Sequence, residues 1–272
     1  MWQEGMFLRS QHFQQQNRWL EAFIRGKVAA LNPHRWGFTR IAPDNGLLGT
    51  GRFAVANAVG VFEDGTRFSF PDETVPPSPI AIQENTQGAL VHLALAVHQN
   101  GAADGKAAKR LCYLLDTDDR SRYLCIPIAR IAEASAEGRV TLDERWLPPI
   151  LACDAVPALA DLIPEFTDLI NQCSQAMAAK VNAPGARGVA EVADFMLLLA
   201  VDRWQTLLGE WGEAATLHPE TLYTVYTEMA AEFASFMATR RSASYPGYFH
   251  DDLQRSFAPV IADLRHMLSS LM

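Results

Sequence analysis

No glycine-rich phosphate loop, nucleophile elbow, HExxH pair or EF-hand loop occurs anywhere in this chain. The usual carriers of phosphoryl transfer, acyl transfer and metal-assisted hydrolysis are therefore missing, and nothing argues for an enzyme. Cysteine is scarce: Cys112, Cys125, Cys153 and Cys173 stand at irregular spacings with no C-x-x-C pair. That argues against a disulfide framework or a zinc site, and predicts reduced, mostly buried thiols. Positive charge is also in short supply, with 23 Lys and Arg against 31 Asp and Glu and a formal charge of −8. Non-specific nucleic-acid binding needs clustered cations to displace counterions, and a basic doublet such as Arg240-Arg241 is no such cluster. Long apolar runs are lacking too. The most apolar window, Val192 to Val201, is interrupted by Asp194 and ends at Asp202, too short to insert in a bilayer. The N-terminus has no basic region followed by an apolar run, so no signal peptide is expected. A soluble, cytoplasmic protein without direct membrane insertion is predicted.

What the chain does have is an aromatic N-terminal arm. Trp2, Met6, Phe7, Leu8 and Phe13 lie within the first sixteen residues, interleaved with Glu4, Gln11 and His12. Burying even three such side chains is worth roughly 1.5–3 kcal/mol each, so the arm must dock on something. Two destinations fit equally: the chain's own core, or a partner protein.

Behind the arm, Ser10 can cap a helix that Asn32-Pro33 terminates. Its stripe of Phe13, Leu20, Phe23, Ile24, Val28 and Leu31 predicts a helix packed on a core. From Trp36 to about Ile150 the period changes to two. Phe53, Val55, Val59 and Val61 alternate, Asp64-Gly65 signals a hairpin returning through Thr66 to Phe70, and four prolines between Pro71 and Pro79 impose a loop. Val91 to Val97, Leu111 to Leu115, Tyr123 to Ala132 and Arg139 to Leu142 complete a set of short strands. An antiparallel β-sandwich is the expected result.

The remainder reads as helical. Stripes run from Leu159 to Met177, from Val189 to Leu207, from Leu222 to Met237 and from Leu253 to Leu271. Pro184-Gly185 breaks the first, His218-Pro219 opens the third, and Pro259 predicts a kink or restart in the last. The expected class is α+β: an arm, helix and β-sandwich over 1–152, then a four-helix bundle over 153–272. The second helix of the bundle is apolar almost all round, which implies burial beyond one core. Phe195, Leu197, Leu198, Trp204 and Trp211 are its candidates for an oligomer interface.

Three polar or aromatic clusters invite a chemical reading. His92 and His98 share a strand face but lack a third metal ligand. His250-Asp251-Asp252 is the densest polar group, and an Asp at a helix start is explained by the unpaired amides and the dipole. Asp202 and Arg203 are placed to pair across helices. Tyr245, Tyr248 and Phe249 are the only compact aromatic platform for a rival receptor- or carbohydrate-binding module. No catalytic, cofactor-binding or metal residue is assigned.

The arm Trp2-Gln-Glu-Gly-Met-Phe-Leu8, followed by Gln11-His-Phe-Gln-Gln-Gln16, resembles the start of the TssK (VasE/ImpJ) family of type VI secretion baseplate subunits. The likeness continues through Pro33-His-Arg-Trp-Gly-Phe38, Ile126-Pro-Ile-Ala-Arg130, Ala190-Glu-Val-Ala-Asp-Phe195, His218-Pro-Glu-Thr-Leu-Tyr223 and His250-Asp-Asp-Leu253. The resemblance implies a non-enzymatic homotrimeric adaptor of a phage-tail-like particle. In such a protein a β-sandwich shell binds the wedge subunits TssF and TssG, a helical neck joins the three chains, and a C-terminal head grips the membrane complex of TssJ, TssL and TssM. The likeness stops at the neck, so the head is expected to be absent from this polypeptide. Gln99 to Leu115 is expected to be shorter than the family's equivalent. By this resemblance Trp2, Glu4, Met6, Phe7, Leu8, Gln11, His12 and Phe13 are the candidates for docking on the wedge or on the shell itself.

Overall fold

A computed structural model describes residues 7, 9–96, 110–136, 138–181, 189–211, 217–237 and 244–272. Helix α1 spans Ser10–Leu31. Ser10 is its first residue rather than a cap, and the amide of Arg9 instead donates to Nδ1 of His12 at 3.3 Å.

Strand β1 (Gly37–Pro43) pairs antiparallel with β3 (Val55–Val61), which pairs in turn with β4 (Arg67–Phe70). Between β1 and β3 lie a short helix α2 (Asn45–Leu48), capped by Asp44 through the amides of Gly46 and Leu47, and β2 (Arg52–Phe53). The β3–β4 turn is the Asp64-Gly65 hairpin: Asp64 accepts from the amide of Thr66 at 2.8 Å and Gly65 takes φ +84°. The expected alternation in β3 is broken. Val55, Ala58 and Gly60 are the buried positions, because irregular register against β1 shifts the face between residues 55 and 58.

The proline-rich segment is a loop that ends at β5 (Ile80–Ala81), paired with β2. A four-stranded antiparallel sheet comes next in the order β7-β6-β8-β9, from β6 (Leu90–Ala96), β7 (Leu111–Leu115), β8 (Tyr123–Ala134) and β9 (Val140–Leu142). Strand β6 is apolar on both faces because it is central, with Val91, Leu93 and Ala94 fully buried.

Close backbone approach ties β1 to the segment that leads into the helices. The amide of Phe38 donates to Pro149 O and that of Leu151 to Phe38 O. A Cβ on Gly60 would lie 2.4 Å from Gly37 O and 2.6 Å from the Phe68 ring, so only glycine fits there.

A 3₁₀ turn (Cys153–Ala155) and α3 (Pro157–Ala160) lead to α4 (Leu162–Val181), α5 (Val189–Trp211), α6 (Pro219–Phe236) and α7 (Leu253–Leu271). Helix α4 packs on α5 and α7, and α6 packs on α5 and α7. Pro219 is the first residue of α6 and His218 its cap. Helix α7 runs through Pro259 without a restart. Both Pro259 and Arg255, whose carbonyl the proline cannot bond, are exposed, so water can satisfy that group. One continuous core spans the β region and the helices, from Phe38 to Leu268. The whole is a mixed α+β chain with antiparallel sheets.

Candidate functional site

Two helices carry large apolar side chains that are exposed among the described residues. On α1, Phe13, Trp19, Leu20, Phe23 and Ile24 are all exposed. Trp19 and Phe23 stack with centroids 5.4 Å apart, and Lys27 Nζ sits 5.6 Å over the Phe23 ring. The expectation that α1 buries this stripe on the core is therefore corrected: periodicity creates an apolar face, and its Trp19, Leu20, Phe23 and Ile24 stay exposed among the described residues. The side chains of Val28 and Leu31 lie outside the described set.

Helix α5 has two apolar faces. Leu197, Ala200, Val201, Trp204 and Leu208 recur at helical spacing and are buried in the chain's own core. Val192, Phe195, Met196 and Leu199 repeat at i, i+3, i+4 and i+7 on the other side and are exposed. Of the interface candidates, Phe195 thus stands on the open face and Leu198 is half-buried. Leu197 and Trp204 are corrected to intrachain core positions, 4% and 3% exposed. Trp204 is fixed there because its Nε1 donates to Glu232 Oε2 on α6 at 2.6 Å. The side chain of Trp211 lies outside the described residues. Arg203 also donates to Glu232, while Asp202 accepts from Ser174 Oγ on α4 at 3.0 Å, so both residues bridge helices as their positions suggest.

The docking candidates of the arm divide in the same way. Trp2, Glu4, Met6 and Leu8 lie outside the described residues. Phe7 is 86% exposed, Gln11 and Phe13 are exposed and His12 is half-buried. Covering each exposed large side chain would be worth roughly 1–2 kcal/mol, so Phe7, Trp19, Leu20, Phe23, Ile24 and the outer face of α5 form a substantial apolar surface that the described residues leave exposed.

Three histidines meet at the junction between the β region and the helices. His34, His218 and His250 stack, with His250 centroids 5.2 Å from His34 and 5.6 Å from His218. The sequence does not disclose this convergence, although His218-Pro219 and His250-Asp251 both stand out in it as helix starts. Asp252 does cap α7, accepting from the amide of Arg255 at 3.1 Å. His250 Nε2 bonds Trp36 O, and burial pushes the imidazole down to about 4. The rival aromatic platform is not an open one. Tyr248 is half-buried with its hydroxyl 2.9 Å from His250 Nδ1, Tyr245 donates to Asp263, and the Arg255 guanidinium lies 4.0 Å over the Phe249 ring.

His92 is buried against Arg120 Nη1 at 2.7 Å, and His98 lies outside the described residues. Among the described residues no group of His, Cys, Asp or Glu is arranged to hold a metal ion, and no helix is long and apolar enough to cross a membrane.

A family described as bacterial type VI secretion, EvfL, ImpJ and VasE, matches residues 12–111 and 105–272. The TssK1 baseplate component of the type VI secretion system of Pseudomonas aeruginosa is 36% identical over 307 residues, covering 100% of this chain and 69% of that protein. The chain belongs to the TssK family. A crystal structure of TssK superimposes with a TM-score of 0.87 at 31% identity, over 98% of this chain and 68% of the other. TssK in a TssK–TssF–TssG baseplate subcomplex shares the fold with a TM-score of 0.83 at 22% identity, over 99% and 98% of the respective chains. The family is one of structural baseplate proteins. The match comes as two stretches that overlap at 105–111, inside the Gln99 to Leu115 stretch expected to be shorter than the family's equivalent.

Proposed function

We propose that this chain is the shell and neck of a trimeric TssK adaptor, with the β region (1–152) as a sandwich-like shell and the helices (153–272) as a four-helix neck. The observation that carries the trimer is the outer face of α5. Val192, Phe195, Met196 and Leu199 form a continuous apolar stripe on a helix whose other face is already buried. A stripe of this kind is stable in water only when covered, and three-fold packing of necks would cover it.

The second docking surface is the shell side. Phe7, Phe13, Trp19 and Phe23, together with Trp2, Glu4, Met6, Leu8, Gln11 and His12, would supply the contacts to the wedge. Aromatic anchors of this type carry most of an interface's energy. The wedge subunits TssF and TssG are the partners to expect, since a relative of the same fold is found with both. In this reading the complex assembles on the cytoplasmic side of the inner membrane. The link to TssJ, TssL and TssM would run through a head domain, in the part of the relatives outside the match.

The test is a pull-down of TssF and TssG by the chain alongside its mass by light scattering. A trimer mass with capture of the wedge supports the proposal. A monomer mass at micromolar concentration removes the neck interface. Loss of capture in F7A/W19A/F23A with unchanged melting places the wedge contact on Phe7 and α1. Retained capture with a lowered melting temperature makes those aromatics internal braces.

A further inference from the structure

A cavity of about 780 Å³ opens between β1, the β8–β9 ribbon and the segment that leads into α3. Ile41, Leu48, Ile128, Trp146 and Val156 give it a mostly apolar wall, and Arg130 of β8 lines it too. Arg130 is half-buried, its Nε is shut off from solvent, and no acceptor among the described residues reaches that atom. Nor does its guanidinium form an ion pair with a carboxylate among the described residues. A buried donor without an acceptor and a half-buried cation without a counter-charge both cost stability, so the chain alone leaves Arg130 unsatisfied. The group that satisfies a guanidinium fork best is a carboxylate.

The other charged residues around the cavity do not fill that role. Asp143 is half-buried, and its Oδ1 already receives the amide of Arg145 at 3.1 Å and the Arg145 Nε at 3.4 Å. Arg139 and Glu144 are exposed, where water screens their charge.

Strand β8 also offers an open edge beside the cavity. Strand β6 pairs with one side of β8 from Tyr123 to Arg130, whereas β9 covers the other side only from Ile131 to Ala134. Along Tyr123 to Arg130 that second edge has no strand partner among the described residues. The register against β6 jumps at Ile128, which stands opposite no residue of β6, and a bulge of this kind re-aims side chains and interrupts regular pairing. An open strand edge next to an apolar cavity suits an extended peptide, held by its backbone and read through alternate side chains.

We propose that this groove receives an extended segment of a wedge subunit, in which an apolar side chain fills the cavity and a neighbouring Asp or Glu pairs with Arg130. Resting on the adaptor reading of the shell, this contact is additional to the exposed face of α1 and specifies the chemistry that its partner must bring.

The test is the affinity of a TssF–TssG complex for the immobilised 272-residue chain, by biolayer interferometry, for wild type, R130M and R130K, with thermal melting of each. R130M should weaken binding by about thirtyfold or more, as loss of one member of a desolvated charge pair does. It should melt no lower than wild type, because no partner within the chain is lost. R130K keeps the charge without the fork and should fall between the two. Wild-type affinity in R130M overturns the groove and leaves the adaptor reading standing. Absence of binding by the wild-type chain removes the adaptor reading and the groove with it. Weakened binding with a lowered melting temperature makes Arg130 a structural residue and also overturns the groove. Should R130M not fold, amide hydrogen exchange of the wild-type chain decides: segment 126–130 should gain protection when TssF–TssG is added, and an unchanged segment refutes the proposal.

Discussion

Trp204 on α5 and Glu232 on α6 are joined by an indole hydrogen bond of 2.6 Å, and the same carboxylate also receives Arg203. The indole N–H is buried, so removing its acceptor leaves an unpaired donor in the core. E232L should destabilise the chain by about 1–3 kcal/mol, whereas E232Q, which keeps an acceptor oxygen, should cost less than about 1 kcal/mol. Urea denaturation followed by tryptophan fluorescence separates the two. Equal losses would mean that the carboxylate's charge matters more than the bond to Trp204.

The two faces of α5 should respond oppositely to charge. L199E lies on the exposed face and should change the stability of an isolated chain by no more than about 0.5 kcal/mol, while abolishing self-association. V201E, two residues on and fully buried, should leave the chain largely unfolded, because an unpaired carboxylate has no place in that core. Light scattering with circular dichroism reads both properties. An L199E that still forms oligomers would move the interface elsewhere.

Gly60 should tolerate no side chain. G60A forces a methyl against Gly37 O and the Phe68 ring, and a cost of about 1–3 kcal/mol or more is expected. G247A, where the added carbon meets nothing within 4 Å, serves as the near-neutral control. Thermal melting of both variants checks the contrast.

Thiol reactivity should track burial. Desolvation raises the pKa of all four cysteines, Cys153 up to about 12, which disfavours the nucleophilic thiolate. Cys112 and Cys125 are half-buried and Cys153 and Cys173 buried. Iodoacetamide at pH 8, with peptide mapping, should label the first two slowly and the second two only on unfolding. Rapid labelling of Cys173 in the native chain would contradict the packing of α4.

Local signals are legible where local physics decides. The Asp64-Gly65 turn, the proline start of α6 at Pro219 and the Asp252 cap of α7 each depend on a few neighbouring residues and appear where those residues put them. Long-range pairing is not legible. His34 meets His218 and Trp36 meets His250 across separations of 184 and 214 residues, and no periodicity encodes such a meeting. The stripe on α1 misleads for a different reason. A helical repeat states that a face is apolar but not what covers it, so the same pattern fits a core helix and an open one. Helix α5 is the informative case: apolar residues all round cannot be satisfied by one core, and the second face is indeed exposed. The register shift in β3 escapes a sequence reading because an irregular pairing changes the face without changing composition.

If the outer face of α5 is covered by copies of the same chain, folding and assembly become one equilibrium. Whatever binds only the folded form stabilises it by mass action, so the melting temperature should climb with the logarithm of protein concentration. A dilute subunit would then be the fragile species, and abundance in the cell would itself act as a stabiliser.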